Sequence, residues 1–366
     1  MNRTLITGAG GHIGLAVAQR LVAEERPVLL FLHAETRDEA AAKQARIEPL
    51  FDGHGGLVRF AAGTMRDERP FAEVDRDEVS QVLHTASIIR FNVEAADADA
   101  VNVAGARKAI AFARSCPRIE AFSLVSSLYA TGLAAGPIAE ALLPEAPGFA
   151  NHYERSKWES EALLANERDL PWRILRIATV MADDDSGAYS QVNAVHNTLR
   201  LLYYGLISVI PGVPETPLYL VTREFVARAI AALLARQASG QVYHLAHPQD
   251  CNPSLEALLD LAFDAFSQDP GFARRRVLRP LYTDLDAFQA LASGMAGFQS
   301  SVIAQALATL TPFAPQLFIT KDFDTRRLQA DWADYTRMDG LAVARGVVRH
   351  GLATRFGKAQ PQEVSG

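Results

Sequence analysis

The chain has 366 residues and a formal net charge of -6, with 36 Lys and Arg against 42 Asp and Glu. That length buries a full core and suits one large α/β domain with an appended lobe, while the acidic balance and the lack of a basic block argue against a nucleic-acid partner, whose phosphates call for a concentrated Lys/Arg face. Only Cys116 and Cys251 are present, no run of about 18 apolar residues supports a spanning helix, and the N-terminus enters a strand pattern without a charged leader, so the expectation is a protein of the reducing cytoplasm.

From Arg3 to Ile177 short aliphatic runs alternate with longer amphipathic stretches, the pattern of repeated βαβ units on a parallel sheet. Strands are predicted over residues 4–7, 28–32, 58–61, 81–85, 122–126 and 173–177, with helices beginning near His12, Glu35, Asp75, Glu94 and Asn151. Asn151 carries a side chain suited to capping the free N–H groups of its helix. The fold class is therefore α/β, a Rossmann-type doubly wound parallel sheet with a smaller, mostly helical C-terminal substrate lobe. Beyond Ala178, residues 189–204 and 223–237 read as helices and 241–245 as a strand, and helical patterns run from Ser254 onward. The expected division is a dinucleotide-binding domain over 1–180, with 206–248 partly returning to it, a substrate lobe over 181–358, and a disordered tail over 359–366. Residues 287–320 contain no charged side chain. A helical hairpin packed on the main domain or on a dimer partner explains this most simply; an apolar lid or tunnel for a long acyl chain, or a face for peripheral membrane contact, is the sharper reading.

The first strand runs into Thr7-Gly8-Ala9-Gly10-Gly11-His12-Ile13-Gly14, which opens a helix. In that context Gly8 permits a tight turn, Gly11 lets the backbone approach a pyrophosphate, and Gly14 lets the helix pack closely on the sheet. Gly8, Gly10, Gly11, His12, Ile13 and Gly14 are the candidate cofactor loop, with the helix N-terminus offering N–H groups and its dipole to the phosphates. At the end of the second strand, where NAD sites carry an acid, stands His33, with Glu35 and Arg37 just beyond. Imidazole and guanidinium suit a 2′-phosphate, so NADP is favoured; Glu35 keeps NAD open.

Tyr153-Glu154-Arg155-Ser156-Lys157 places Tyr153 and Lys157 at i and i+4 on one helix face. A nearby ammonium favours the phenolate and is expected to lower the tyrosine's pKa, and the same lysine can hold the nicotinamide ribose. The strand 122–126 ends in Ser126 and Ser127, outside the strand C-termini where open α/β sheets bind ligands. Ser127 is the candidate to hydrogen-bond a substrate carbonyl, Tyr153 to give the proton, and Lys157 to assist it. A cap on the following turn is the plain alternative for Ser127.

With these residues in place the chain resembles an extended short-chain dehydrogenase/reductase over about residues 3–270. Leu83-His84-Thr85-Ala86-Ser87 with Arg90-Phe91 resembles the loop that lies against the cofactor, and Val101-Asn102-Val103-Ala104-Gly105 resembles the family's Asn-Val-x-Gly-Thr helix. Ser126 through Gly132, followed by Tyr153 to Lys157, Trp158 and Glu159, is closer to the thioester-reductase and fatty-acyl-reductase branch than to sugar epimerases. The resemblance implies cofactor contacts from Thr85, Ala86, Ser87, Asn102, Tyr153, Lys157, Ile177 and Val180. It also implies NADPH-dependent reduction of a CoA-bound or carrier-bound acyl thioester to aldehyde or alcohol, and a homodimer through the helices after the fourth and fifth strands. The chain departs from the pattern at Gly63-Thr64, where the family carries Gly-Asp, and at Arg176-Ile177 and Ala182, where it carries Arg-Pro and glycine.

His244, His247 and Cys251 lack the spacing of a metal site, so none is expected. Without a Gly-x-Ser-x-Gly elbow a serine hydrolase is disfavoured. The alternatives to a thioester reductase are a secondary-alcohol dehydrogenase or ketoreductase of hydroxysteroid or dihydroflavonol type, a non-catalytic dinucleotide sensor, and a sugar epimerase or dehydratase, the last poorly served by an uncharged lobe.

Overall fold

The computed structural model describes residues 2–295 and 302–357. These form two compact units, one of Met1–Ala178, Arg223–Ala246 and Phe323–Thr336, the other of Thr179–Thr222, His247–Asp322 and Arg337–Gly366.

The first unit is built on seven strands: β1 (Arg3–Thr7), β2 (Val28–His33), β3 (Val58–Gly63), β4 (Val79–His84), β5 (Ala121–Ser127), β6 (Trp172–Ile177) and β7 (Gln241–Leu245). All pairings are parallel, in the order β7-β6-β5-β4-β1-β2-β3. The winding reverses between β1 and β4, the switch point at which such sheets bind ligands beyond their strand ends. The flanking helices are α1 (His12–Ala23), α2 (Arg37–Ile47), α3 (Ala104–Ser115), α4 (His152–Ala165) and α5 (Arg223–Leu234). Burial on both faces explains why β1 and β5 read as continuous runs and not as alternating ones, every residue of each being buried. Helix α1 buries Gly14, Val17, Ala18, Leu21 and Val22 at the spacing of one face, against α5. Each fully buried Val or Leu contributes about 1.5–3 kcal/mol.

Two expectations are corrected. Near Asp75 there is only a 3-10 turn, Arg76–Glu78, because the Asp75 carboxylate accepts the Asp77 amide and the chain passes at once into β4. The helix expected near Glu94 has Glu94 at its N-cap position, begins as Ala95–Ala98, passes through a π turn at Asp99–Val103, and continues as α3. Within 206–248, residues Arg223–Ala246 belong to the first unit, while Phe323–Thr336, assigned from its pattern to the substrate lobe, joins it as well. Glu140 holds it there: its buried carboxylate accepts the Arg327 amide at 2.6 Å and the His244 amide of β7 at 3.0 Å, while the Arg327 guanidinium donates to the Val242 carbonyl. Long-range clasps of this kind leave no periodic signal.

The second unit is mostly helical, with its core around Leu255–Ser267, Gly340–Ala353 and Ala194–Tyr203. Two short parallel strand pairs accompany them, Thr179–Ala182 with Leu220–Thr222 and Val209–Pro211 with Leu281–Thr283. In the uncharged stretch, Leu285–Met295 and Val302–Leu310 are helices in contact with one another, and Phe288, Ala306, Leu307 and Leu310 are buried in this core. Residues 296–301 and the tail from 358 lie outside the described residues. No helix among the described residues is long and apolar enough to cross a membrane.

Candidate active site

The glycine loop is shaped by contacts of its own chain. Gly8 has φ +65, and a Cβ there would sit 2.8 Å from Thr85 Oγ1 and 2.9 Å from the Ala86 backbone. At Gly14 a Cβ would lie 2.5 Å from the Gly8 carbonyl, so only glycine lets α1 start directly over the turn. Gly11 is the N-cap of α1 and places no side chain over the helix end, with Gly10 and Gly11 both exposed. A loop cleared of side chains at a helix N-terminus is the cradle a dinucleotide pyrophosphate requires, so these residues fit an NAD(P) group. Gly10 meets nothing closer than 3.5 Å, and chain packing places no demand on it.

Thr7, unassigned by the sequence reading, locks this loop to its neighbour. Its hydroxyl accepts the amides of Thr85 and Ala86, both at 3.2 Å, and lies 2.9 Å from His84 Nδ1, while Thr85 Oγ1 donates back to the Thr7 carbonyl at 2.6 Å. Burial pushes the His84 imidazole down to about 3, with the Lys157 charge adding to the effect, so His84 is neutral, and the Thr7 hydroxyl, whose lone pairs take the two amides, donates its proton to Nδ1. Ser87 donates to the Ile88 carbonyl.

At the end of β2, His33 is exposed and Arg37 is the first residue of α2, behind the Thr36 cap. Lys43, missed from the sequence, reaches back from α2 to the His33 carbonyl at 2.7 Å and to Glu39 at 2.6 Å. Its only sequence signal is rarity, one of five lysines in the chain. Thr64, where the family has Asp, turns its hydroxyl to the Arg66 amide and closes the chain after β3.

The chemical residues converge at the C-terminal ends of β5 and β6. Ser127 pairs with Ile177 in the sheet register, its hydroxyl accepts the Tyr129 amide at 3.2 Å, and a side-chain hydrogen bond joins it to Tyr153. Helix α4 begins at an Asn151 cap that accepts the Glu154 amide, and this sets Tyr153 and Lys157 on its inner face. Both are buried. The Lys157 ammonium donates to the Val125 carbonyl at 3.1 Å and stands 5.8 Å from the Tyr153 ring centroid. Burial pushes the Tyr153 phenol up to about 12, against the opposing Ser127 hydrogen bond, and pushes Lys157 down to about 8. The expected lowering of Tyr153 is therefore overturned: desolvation of the phenolate outweighs the Ser127 hydrogen bond, and the neighbouring Tyr129 and Glu154 push in the same direction as burial. A phenol held protonated at neutral pH suits proton donation, the direction of carbonyl reduction.

Asn102, in the π turn, fixes the remaining wall. Its amide accepts Ile88 N–H at 2.7 Å, donates to the Ile88 carbonyl at 3.1 Å and donates to Ser156 Oγ at 2.8 Å. It thus ties the loop after β4 to α4, and Phe91 on that loop stands edge-on to Tyr153 with ring centroids 5.6 Å apart. His12 and Ile13 lie in the first turn of α1, half-buried. The structure thus joins Ser127, Tyr153, Lys157, Asn102 and Ile177 in one set and Gly8, Gly14, Thr85 and Ala86 in another, both at the strand ends of the first unit. Val180 belongs to the second unit, where its carbonyl accepts Asn193. His244 is engaged by Arg176 and the Asp324 carbonyl, and among the described residues no three His, Cys, Asp or Glu side chains are grouped to hold a metal.

No curated protein sequence matches the chain. Among solved structures, the terminal R domain from the myxalamid PKS-NRPS biosynthetic pathway is similar over 98% of this chain and 92% of its own, at 21% identity and a TM-score of 0.77. A thiolation-reductase di-domain from an archaeal non-ribosomal peptide synthetase is similar over 97% of this chain and 76% of its own, at 15% identity and a TM-score of 0.71. UDP-glucuronic acid 4-epimerase from Bacillus cereus, in complex with NAD, is similar over 95% of this chain and 99% of its own, at 16% identity and a TM-score of 0.64. The profile of the NAD-binding family described as male sterility protein matches residues 6–230. The chain belongs to this male sterility protein family and is an NAD(P)-dependent oxidoreductase.

Proposed function

We propose that this chain is an NADPH-dependent reductase of an acyl thioester, bound to CoA or to a carrier, with an apolar acyl chain. The observation that carries the reading is the buried, protonated Tyr153 joined to Ser127 one helical turn before Lys157. Preference for a thioester over a ketone or alcohol rests on the likeness to the two reductase domains and on the uncharged stretch 287–320.

The glycine loop and the α1 N-terminus would hold the pyrophosphate, His33, Arg37 and Lys43 the 2′-phosphate, and Lys157 the nicotinamide ribose. When bound, the reduced nicotinamide supplies a hydride to the carbonyl carbon. Ser127 donates to the carbonyl oxygen as negative charge develops there, and Tyr153 transfers its phenolic proton to that oxygen. Lys157 stabilises the phenolate left behind. The resulting hemithioacetal loses its carbon–sulfur bond as its O–H proton passes to sulfur, releasing one aldehyde and one thiol for each hydride and proton consumed. NADPH consumption by the purified protein with a series of acyl-CoAs, with thiol release followed in parallel, tests the reading. Consumption with aldehydes or ketones alone, without thiol, would replace it with the alcohol-dehydrogenase reading.

A further inference from the structure

Beneath the reactive set lies a buried polar group that the mechanism above does not use. Glu161 stands one turn beyond Lys157 on α4, and Arg176 stands one residue before Ile177 on β6. Their side chains are 2% and 0% exposed and form a bidentate pair, Arg176 Nη2 to Glu161 Oε2 at 2.7 Å and Nε to Oε1 at 3.0 Å. Ser126, the neighbour of Ser127, donates to Glu161 Oε1 at 2.5 Å. On the far side Arg176 Nη1 meets His244 Nε2 at 3.3 Å, and His244 Nδ1 lies 2.8 Å from the Asp324 carbonyl. The geometry fixes the tautomer: Nε2 accepts from the guanidinium, so Nδ1 carries the proton and donates. The pair thus bolts together the three elements that carry Ser127, Ile177 and Lys157.

A pair sealed this far from water is costly to bury, and apolar residues of the same size commonly serve stability as well or better. Its place one helical turn from Lys157 calls for another reason. The groups facing Lys157 are His84 from β4, which is neutral, Tyr153 on its own helix, and Glu161 below. Glu161 is the one anion among those that act on it. Since Arg176 shares this carboxylate, the ammonium is supported without being drawn into a direct ion pair, and it remains directed at the Val125 carbonyl beside Tyr153.

We propose that Glu161 and Arg176 are positioning residues, a fixed counter-charge that keeps Lys157 cationic and aimed at the Tyr153 site. This rests on the functional reading of Lys157 but is tested without it. The five lysines of the chain, labelled with 13C at Cε, give few enough NMR signals for Lys157 to be followed through a pH titration, with Lys157→Met identifying its resonance. In the double variant Glu161→Met/Arg176→Met the apolar replacement keeps the volume of the buried pair, and Lys157 titrates on the order of one pH unit lower. Turnover then falls about 10- to 100-fold at neutral pH, with its alkaline limb moved down by the same interval. If the double variant does not fold, Glu161→Asp moves the titration the same way by less. An unmoved Lys157 titration in a folded variant overturns the proposal whatever the activity. A moved titration in a protein that reduces no thioester upholds it and rejects only the substrate reading.

Discussion

Asn102 donates to Ser156 Oγ at 2.8 Å while holding both backbone groups of Ile88, so one side chain sets the distance between the loop after β4 and the helix that carries Tyr153 and Lys157. Removing it leaves the Ile88 amide and carbonyl without this partner in a half-buried setting. Asn102→Ala is expected to lower the unfolding free energy by about 1–3 kcal/mol and to reduce kcat more than it raises the cofactor Kd. Urea unfolding and single-turnover kinetics measure the two effects.

Tyr153→Phe removes the phenolic proton and leaves the ring that Phe91 packs against. Turnover is expected to fall by about 10²–10⁴, with NADPH affinity unchanged within a few-fold, as read by quenching of tryptophan fluorescence. Retention of most of the rate would remove Tyr153 from the mechanism.

Lys157 supplies the pH dependence. Burial lowers its pKa from 10.5 to about 8, so kcat/KM for reduction falls as pH rises through about 8, whereas Tyr153, pushed up to about 12, stays protonated across that range. The stability effect runs the other way. Between about 8 and 10.5 the unfolded chain binds more protons than the folded one, so this lysine makes stability rise with pH in that window, and below it the full penalty of burying the charge applies. Lys157→Met should therefore stabilise the protein at pH 7, by at most about 3 kcal/mol, while abolishing turnover, and the gain should vanish above about pH 10.5. A destabilised Lys157→Met variant at pH 7 would show the ammonium to be a structural asset instead.

At the cofactor end, Lys43→Ala should cost NADPH about tenfold in Kd and NADH little, since a lost charge–phosphate contact affects only the phosphorylated ribose. Equal losses for both nucleotides would place Lys43 in a structural role through Glu39 and His33.

The alternation of short aliphatic runs with amphipathic stretches made the parallel sheet legible, because a strand buried on both faces declares itself by its neighbours as much as by its own residues. Gly8 and Gly14 were equally legible, since each is the one residue its backbone or its close approach allows, and Tyr153, Lys157 and Ser127 followed from helix spacing and the strand terminus. The missed features depend on long-range or multivalent contacts. Glu140 finds Arg327 across 187 positions, Thr7 serves two amides of a distant loop, and Glu161 meets Arg176 only after two elements pack. The pKa of Tyr153 was misjudged because spacing reveals the neighbouring charge but not the depth of burial, which here dominates.

The most direct test follows NADPH and free thiol together as the purified protein meets a medium- or long-chain acyl thioester on CoA or on a carrier, with the Tyr153→Phe variant alongside. One thiol released for each acyl group reduced, with NADPH consumed in step and both signals lost in the variant, is the predicted result. NADPH consumption without thiol, or thiol release that survives in the variant, would contradict the account.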